Sequence, residues 1–276
     1  MYFSIFRDVT AMPRDVDAFL RPDPLINNVP LGLLERMRRG INFKDYCLFV
    51  VRDEAHQVVQ YAHLLPPNPL CLAAGNGIEA LKHGIQTAGI SYPRVQGRKE
   101  LVEAFLDSGM KDHRVHVERQ GLYKLTRLLP HRPTGASFEH ASPADLEMLV
   151  DWAIAFRNEC NLPGADRTES VVHIKERIDA GDIFVLRYEG AVVSTVSAGR
   201  VLPKGRSIGF VYTPHEHRRK GYAEELTARV TAFLLQNGNE YCCLFTQLDN
   251  KTSNRIYQNI GYEWVCEFLS VTTAES

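Results

Sequence analysis

The run Val211-Tyr212-Thr213-Pro214-His215-Glu216-His217-Arg218-Arg219-Lys220-Gly221-Tyr222-Ala223 constrains this chain more than any other stretch. A β-rich segment enters it and a helix leaves it. Three consecutive cations and a glycine lie between. The first amides of a helix have no partner within the helix, and the helix dipole favours negative charge there. Gly221 allows close backbone approach with no Cβ in the way. The run therefore reads as an anion cradle, with phosphate or pyrophosphate as its ligand. It is neither a P-loop nor a dinucleotide fingerprint, because G-x-x-x-x-G-K-[ST] and G-x-G-x-x-G are both absent from it.

A second run, Asn250-Lys251-Thr252-Ser253-Asn254-Arg255-Ile256-Tyr257-Gln258-Asn259-Ile260-Gly261-Tyr262, reads as a short helix. Asn250, Thr252 and Ser253 are capping residue types. Ile256 and Ile260 share a face, Gly261 suits a helix-ending position, and Tyr262 opens a strand.

Together the two runs resemble the signatures of the GNAT superfamily, the Gcn5-related N-acetyltransferases. Arg218-x-x-Gly221-x-Ala223 is similar to its (Arg/Gln)-x-x-Gly-x-(Gly/Ala) pattern. Asn250, Ser253, Tyr257, Gly261 and Tyr262 match every anchor of N-x-x-[SA]-x-x-x-Y-x-x-x-G-[FY]. The resemblance implies an acyl-CoA ligand, acetyl-CoA in the simplest case, with its pyrophosphate in the cradle.

Composition excludes several other classes. The 276 residues suggest one large or two small domains, and 45% hydrophobic with 24% charged residues suits a globular protein with a sizeable core. A net charge of −1 gives no basic footprint for nucleic acid. No apolar run approaches a membrane span, and the first residues lack a signal peptide's basic start and apolar stretch. Cys47, Cys71, Cys160, Cys242, Cys243 and Cys266 form no C-x-x-C pair, and the ten histidines show no zinc spacing. No metal, no membrane and a reducing cytoplasm are therefore expected.

Leu129-Pro130-His131-Arg132-Pro133-Thr134-Gly135 breaks the pattern. We therefore expect a domain at residues 1–129, a linker at 130–135 and a second domain at 136–276. In the second, the pattern predicts strands at Ser137–His140, Ile183–Tyr188, Ala191–Gly199, Ser207–Thr213, Cys242–Gln247 and Trp264–Val271. Helices are expected from Ser142, over Thr168–Ala180, from about Arg219 to Gln236, and over Ser253–Ile260. That order, β-α-α-β-β-β-α-β-α-β, is the one the GNAT resemblance implies: an α/β fold with a mixed, mostly antiparallel, splayed sheet flanked by helices.

The first half echoes this succession. Helices are predicted within 13–40, over Gly77–Ala88 and over Arg98–Ser108. Strands are predicted at Cys47–Arg52, Val58–Leu65, Leu70–Ala73, Ser91–Val95 and Arg114–Lys124. Its cradle position, Ala73-Ala74-Gly75-Asn76-Gly77-Ile78-Glu79, has no cation, and its fourth helix has no tyrosine. A degenerate GNAT-like repeat, in a tandem layout similar to glycine N-acyltransferases, and an unrelated α/β cap both fit.

The resemblance assigns Arg218, Arg219, Lys220, Gly221, Tyr222 and Ala223 to the pyrophosphate. It assigns the backbone of Phe210, Val211 and Tyr212 to pantetheine and the oxyanion, and Asn250, Ser253 and Asn254 to the other cofactor side. Tyr257 becomes the proton donor to the leaving thiol, since a phenol stays protonated at neutral pH. For the base, Glu159 lies two turns after Trp152 and one after Phe156, on the apolar face of its helix, where a carboxylate must be paired or used. Glu216, His215 and a water-mediated route are alternatives. The chain is thus expected to be an N-acyltransferase acting on a small-molecule or protein amine, or else a non-catalytic acyl-CoA-binding module. A monomer or a homodimer is expected, because a tandem chain can satisfy internally the last-strand contact through which such proteins dimerise.

Overall fold

The computed structural model describes residues 1–41, 43–106, 114–160, 162 and 166–273. Two successions of the same ten elements follow one another. The first is β1 (Tyr2–Phe6), α1 (Asp15–Leu20), α2 (Asn28–Arg38), β2 (Cys47–Arg52), β3 (Val58–Leu64), β4 (Leu70–Leu72), α3 (Ile78–Thr87), β5 (Arg94–Arg98), α4 (Lys99–Leu106) and β6 (Arg114–Leu125). The second is β7 (Ser137–His140), α5 (Leu146–Glu159), α6 (Arg167–Asp179), β8 (Ile183–Tyr188), β9 (Ala191–Leu202), β10 (Gly205–Tyr212), α7 (Tyr222–Gln236), β11 (Tyr241–Gln247), α8 (Lys251–Asn259) and β12 (Glu263–Thr273).

Local chemistry sets many of these boundaries. Ser142 and Asp145 form a capping box, with Pro143 in the first turn before α5. Glu189 and Gly190 both take positive φ, 49° and 81°, which makes the tight turn between β8 and β9. Asp166 caps α6 by accepting the Glu169 amide at 2.7 Å.

Several ends shift by a few residues from the sequence reading, and three departures have a clear physical reason. β1 was not expected; it pairs antiparallel with β2, and Phe3 stacks on Phe49. β5 begins at Arg94 rather than Ser91, past Pro93. α7 begins at Tyr222 rather than Arg219, because Arg219 and Gly221 are left-handed, at φ 63° and 88°. The Ser108 end expected for α4 lies outside the described residues.

The twelve strands among the described residues join one sheet, in the order β1-β2-β3-β4-β5-β12-β6-β11-β10-β9-β8-β7. The two succession-ending strands are exchanged. β12 runs antiparallel to both β5 and β6, while β6 runs antiparallel to both β12 and β11. Each half thus completes its sheet with the other half's last strand. Helices cover both faces, and α2 of the first half packs on β9 of the second. One core cluster crosses the seam, joining Val16, Leu20 and Leu34 to Leu122, Cys243 and Phe268. Among the described residues no helix is long and apolar enough to cross a membrane.

This interlocking makes a stability prediction. Leu122 on β6 is fully buried in the seam cluster. Leu122→Ala is expected to cost ~2–5 kcal/mol. In a calorimetric melt both halves should lose stability in one transition, whereas two separated transitions with only one shifted would show the halves to be independent.

Candidate functional site

β10 and β11 are parallel and hydrogen-bonded only where Gly205–Ser207 meets Tyr241–Cys243. Beyond that apex they part, leaving a V whose walls are Ile208–Tyr212 and Leu244–Gln247. β11 is held in place by its full ladder with β6. β10 bends through a bulge: Gly209 pairs with Ser197 and Tyr212 with Thr195, so Phe210 and Val211 together oppose Val196. Phe210 sits at φ 47°. Ser197 Oγ donates to Gly209 O (3.0 Å) and Ser194 Oγ to Tyr212 O (3.1 Å), pinning both ends of the bulge.

The cradle follows. Beyond a 3₁₀ turn at His215–His217, the left-handed Arg219 and Gly221 turn the chain into α7. The first bond of the helix runs from Glu225 N–H to Gly221 O (3.0 Å). Among the described residues, nothing accepts from the amides of Arg219, Lys220, Gly221, Tyr222 or Ala223. Arg219, Lys220, Gly221 and Tyr222 line an open cleft of about 900 Å³ together with Arg132, Thr134 and His217. Buried Glu225 accepts the Thr134 amide at 2.6 Å and pairs with Arg229 at 2.7 Å, tying the inter-half segment to α7.

The equivalent loop of the first half is held tightly against its own sheet. Ala73 N–H donates to Tyr61 O, Ala74 N–H to Asn27 Oδ1 and Asn76 N–H to Val59 O, each at 3.0 Å. Gln60 Nε2 donates to Ala73 O at 2.7 Å. A Cβ on Gly75 would lie 2.5 Å from Val59 O, so the loop is pressed flat on β3. Of the amides equivalent to those of Arg219–Ala223, that of Asn76 is therefore already used, and the loop carries no cation.

Tyr257 stands on α8, 6% exposed, edge-on to Tyr262 at 6.1 Å between centroids. Burial, with a smaller contribution from the Cys160 thiol, pushes its phenol well above the ordinary value. The hydroxyl is therefore a neutral donor at every physiological pH. Asn250 caps α8 by accepting the Ser253 amide at 3.0 Å. Asn254 Nδ2 donates to Gln247 O (2.9 Å) and Asn250 O (2.8 Å). These side chains anchor α8 to the end of β11.

The structure brings Glu159 and Arg218 together, 59 residues apart in sequence. Arg218 Nη2 donates to both Glu159 oxygens, at 2.9 and 2.7 Å, and its Nε donates to Thr213 O at 2.8 Å. The guanidinium lies over the Tyr212 ring, and Tyr212 Oη donates to Glu159 at 3.3 Å. The signature arginine thus turns its side chain away from the cradle. Arg167, at the start of α6, pairs with Glu147 and Asp151. On the other wall, Gln247 Nε2 donates to Cys160 O at 3.2 Å. The end of α5 therefore straddles the mouth of the V. Phe156 and Trp152 pack on Phe210 and Tyr212 beneath it. His215 reaches Glu159 only at 3.7 Å and is mostly exposed. No group of three or more potential metal ligands occurs among the described residues.

Residues 188–269 match the family model described as FR47-like protein. No curated protein sequence matches the chain. Several solved structures match it along nearly its whole length. An acetyltransferase from the GNAT family of Colwellia psychrerythraea is 12% identical, with a TM-score of 0.67 over 99% of this chain and 100% of that one. A GCN5-related N-acetyltransferase from Sphaerobacter thermophilus is 15% identical, with a TM-score of 0.66 over 99% and 96%. A tandem GNAT protein from the clavulanic acid biosynthesis pathway is 15% identical, with a TM-score of 0.62 over the whole of both chains. Residues 188–269 are thus similar to the FR47-like family, and the whole chain has the fold of the GCN5-related N-acetyltransferases in a tandem layout.

Proposed function

We propose that the chain is an acyl-CoA-dependent N-acyltransferase, with acetyl-CoA as the simplest donor and one site, in the second half. The observation that carries this reading is the open V running into a cradle of unpartnered amides. The pyrophosphate lies on the amides of Arg219–Ala223, with Arg219 and Lys220 adding charge. Pantetheine lies along Phe210–Tyr212, with Asn250, Ser253 and Asn254 on the opposite wall. A main-chain amide at the bulge polarises the thioester carbonyl. The neutral amine attacks that carbon, the C–S bond breaks, and the thiolate takes the Tyr257 proton as the amine loses its own to solvent. The first half, its loop without a cation, serves as scaffold, and because the last strands are exchanged within one chain we expect a monomer.

Glu159, expected as a base, fits better as a strut, because Arg218 engages both its oxygens. Arg218 in turn serves the pyrophosphate loop through its backbone rather than its side chain. Glu159→Gln should alter stability by less than ~1 kcal/mol, since the pair is partly solvated. It should raise the acceptor KM while leaving acetyl-CoA affinity unchanged; a collapse of kcat at unchanged KM would restore it as the base.

The reading is tested by thiol release from acetyl-CoA across a panel of primary amines. Amine-dependent release supports it. Tight acetyl-CoA binding with no release for any amine would instead mark an acyl-CoA-binding module.

A further inference from the structure

Beside the V lies an unusual concentration of positive charge. It sits between α2 of the first half and α6 of the second, over the middle of β9. Arg177 on α6 is partly buried and donates to Ala198 O. Arg200, two residues further along β9, donates from Nε to Asn28 Oδ1 at 3.0 Å and lies 5.9 Å from the Phe245 ring centroid. Its stem fills a notch in α2: a Cβ on Gly32 would come within 2.6 Å of Arg200 Cγ and Cδ. Arg36, one turn after Gly32, shares that helix face and stacks on Phe43 at 5.1 Å.

None of these three arginines forms an ion pair with a carboxylate among the described residues. Asp182, the acidic group that Arg177 feels, is already paired with Arg206. Burial, followed for Arg177 by repulsion from Arg206, Arg36 and Arg200, pulls both the Arg177 and Arg200 guanidinium values down. His173, one turn from Arg177, is pushed down to about 4 by burial and by Arg177, Arg36 and Arg157. Desolvated, mutually repelling cations are costly unless an anion joins them.

The cluster is also well placed. Ala198, whose carbonyl holds Arg177, pairs with Ile208, next to Gly209 where the β10 bulge begins. The reacting thioester would lie two to three residues along the strand, roughly 7–10 Å away. Phe156, Phe210 and Trp152 form an apolar wall on the same side of the sheet.

We propose that Arg36, Arg177 and Arg200 hold a carboxylate of the acyl acceptor, so that the acceptor is a small amine that also carries a carboxylate. This deepens, and rests on, the N-acyltransferase reading. It disfavours polyamines, whose charge the cluster would repel, and it makes the first half part of the specificity apparatus.

The test is calorimetric titration of the full chain with N-acetylglycine and N-acetylglycinamide, product-like compounds differing in one charge, at fixed ionic strength. Wild type should bind the carboxylate at least about tenfold more tightly than the amide, as expected for one charged hydrogen-bonding contact. Arg177→Met, and separately the surface variant Arg36→Gln, should shrink that preference while acetyl-CoA affinity stays as in wild type. No preference in the wild type, or a preference untouched in both variants, would overturn the proposal. Failure of wild type to bind acetyl-CoA in the same series would sink the transferase reading alone, since the carboxylate titration reads the arginine cluster independently.

Discussion

Tyr257→Phe is expected to lower turnover about 10²- to 10⁴-fold, the usual contribution of a positioned general acid. Acetyl-CoA affinity should stay within about twofold. The substitution deletes one oxygen from a ring packed against Tyr262 in a closed core, so the shape of the site survives. What is lost is the proton that the leaving thiolate needs. A thiol of ordinary value near 8.5 leaves partly as thiolate at neutral pH, which is why the loss is not total. The pH profile supplies the sign. Burial raises the phenol above its ordinary value near 10, so the donor form persists as pH rises and is lost only above that value. Wild-type kcat should therefore show no falling limb from this group below about pH 10. Steady-state kinetics across pH 6–10 checks both points. A variant that turned over like wild type, or that lost acetyl-CoA binding together with turnover, would remove Tyr257 from the proton-donor role.

The second large effect is on the cradle. The double variant Arg219→Glu, Gly221→Asp should weaken acetyl-CoA binding by at least about 100-fold, two charged contacts each worth ~1.5–3 kcal/mol. Gly221 sits at φ 88°, where any side chain is strained by ~1–2 kcal/mol. Its new Cβ would also meet Thr134 Cγ2 at 3.4 Å. An aspartate at the start of α7 would accept from the helix amides itself, occupying the donors a phosphate needs. The glutamate reverses a charge beside the same amides. Melting of the variant, compared with wild type, separates loss of the site from loss of the fold. Unchanged affinity in a folded variant would mean that the ligand lies elsewhere.

How much of this was legible in the sequence depends on how local each feature is. The capping box of Ser142 and Asp145, the Glu189-Gly190 turn and the Asn250 cap each need only a few neighbouring residues, and the elements they bound fell close to their expected places. The tandem order of elements was visible for the same reason. β1 was not, because its five residues become a strand through pairing with β2 and through Phe3 on Phe49. The exchange of β6 and β12 was also hidden: an apolar strand such as the one holding Phe268, Leu269 and Val271 signals that it is buried, not which strands flank it. Periodicity carried the α7 helix back to Arg219, since it does not register the left-handed turns at Arg219 and Gly221.

The site divides in the same way. Glu159 stood out as a carboxylate on an apolar face needing a partner, yet the partner, Arg218, came from the loop beyond β10, 59 residues on. That pairing changes what both residues can do. The arginines at 36, 177 and 200 carried no signal at all, because isolated arginines usually find carboxylates or solvent. Only the fold shows them gathered beside the bulge, without ion pairs among the described residues. Likewise, the sequence shows that the first-half loop lacks a cation, but its hydrogen bonds to Tyr61, Asn27 and Val59, which hold it against β3, are encoded by no local pattern.

The central claim is that, of two equivalent loops, the cationic one before α7 takes a pyrophosphate and the cation-free one pressed against β3 does not. Calorimetric titration of the wild-type chain with acetyl-CoA measures this as a stoichiometry. The account predicts saturation at one acetyl-CoA per chain, with a Kd on the order of micromolar, and loss of that single event in the cradle double variant. Two bound molecules per chain, or one that survives the double variant, would contradict it.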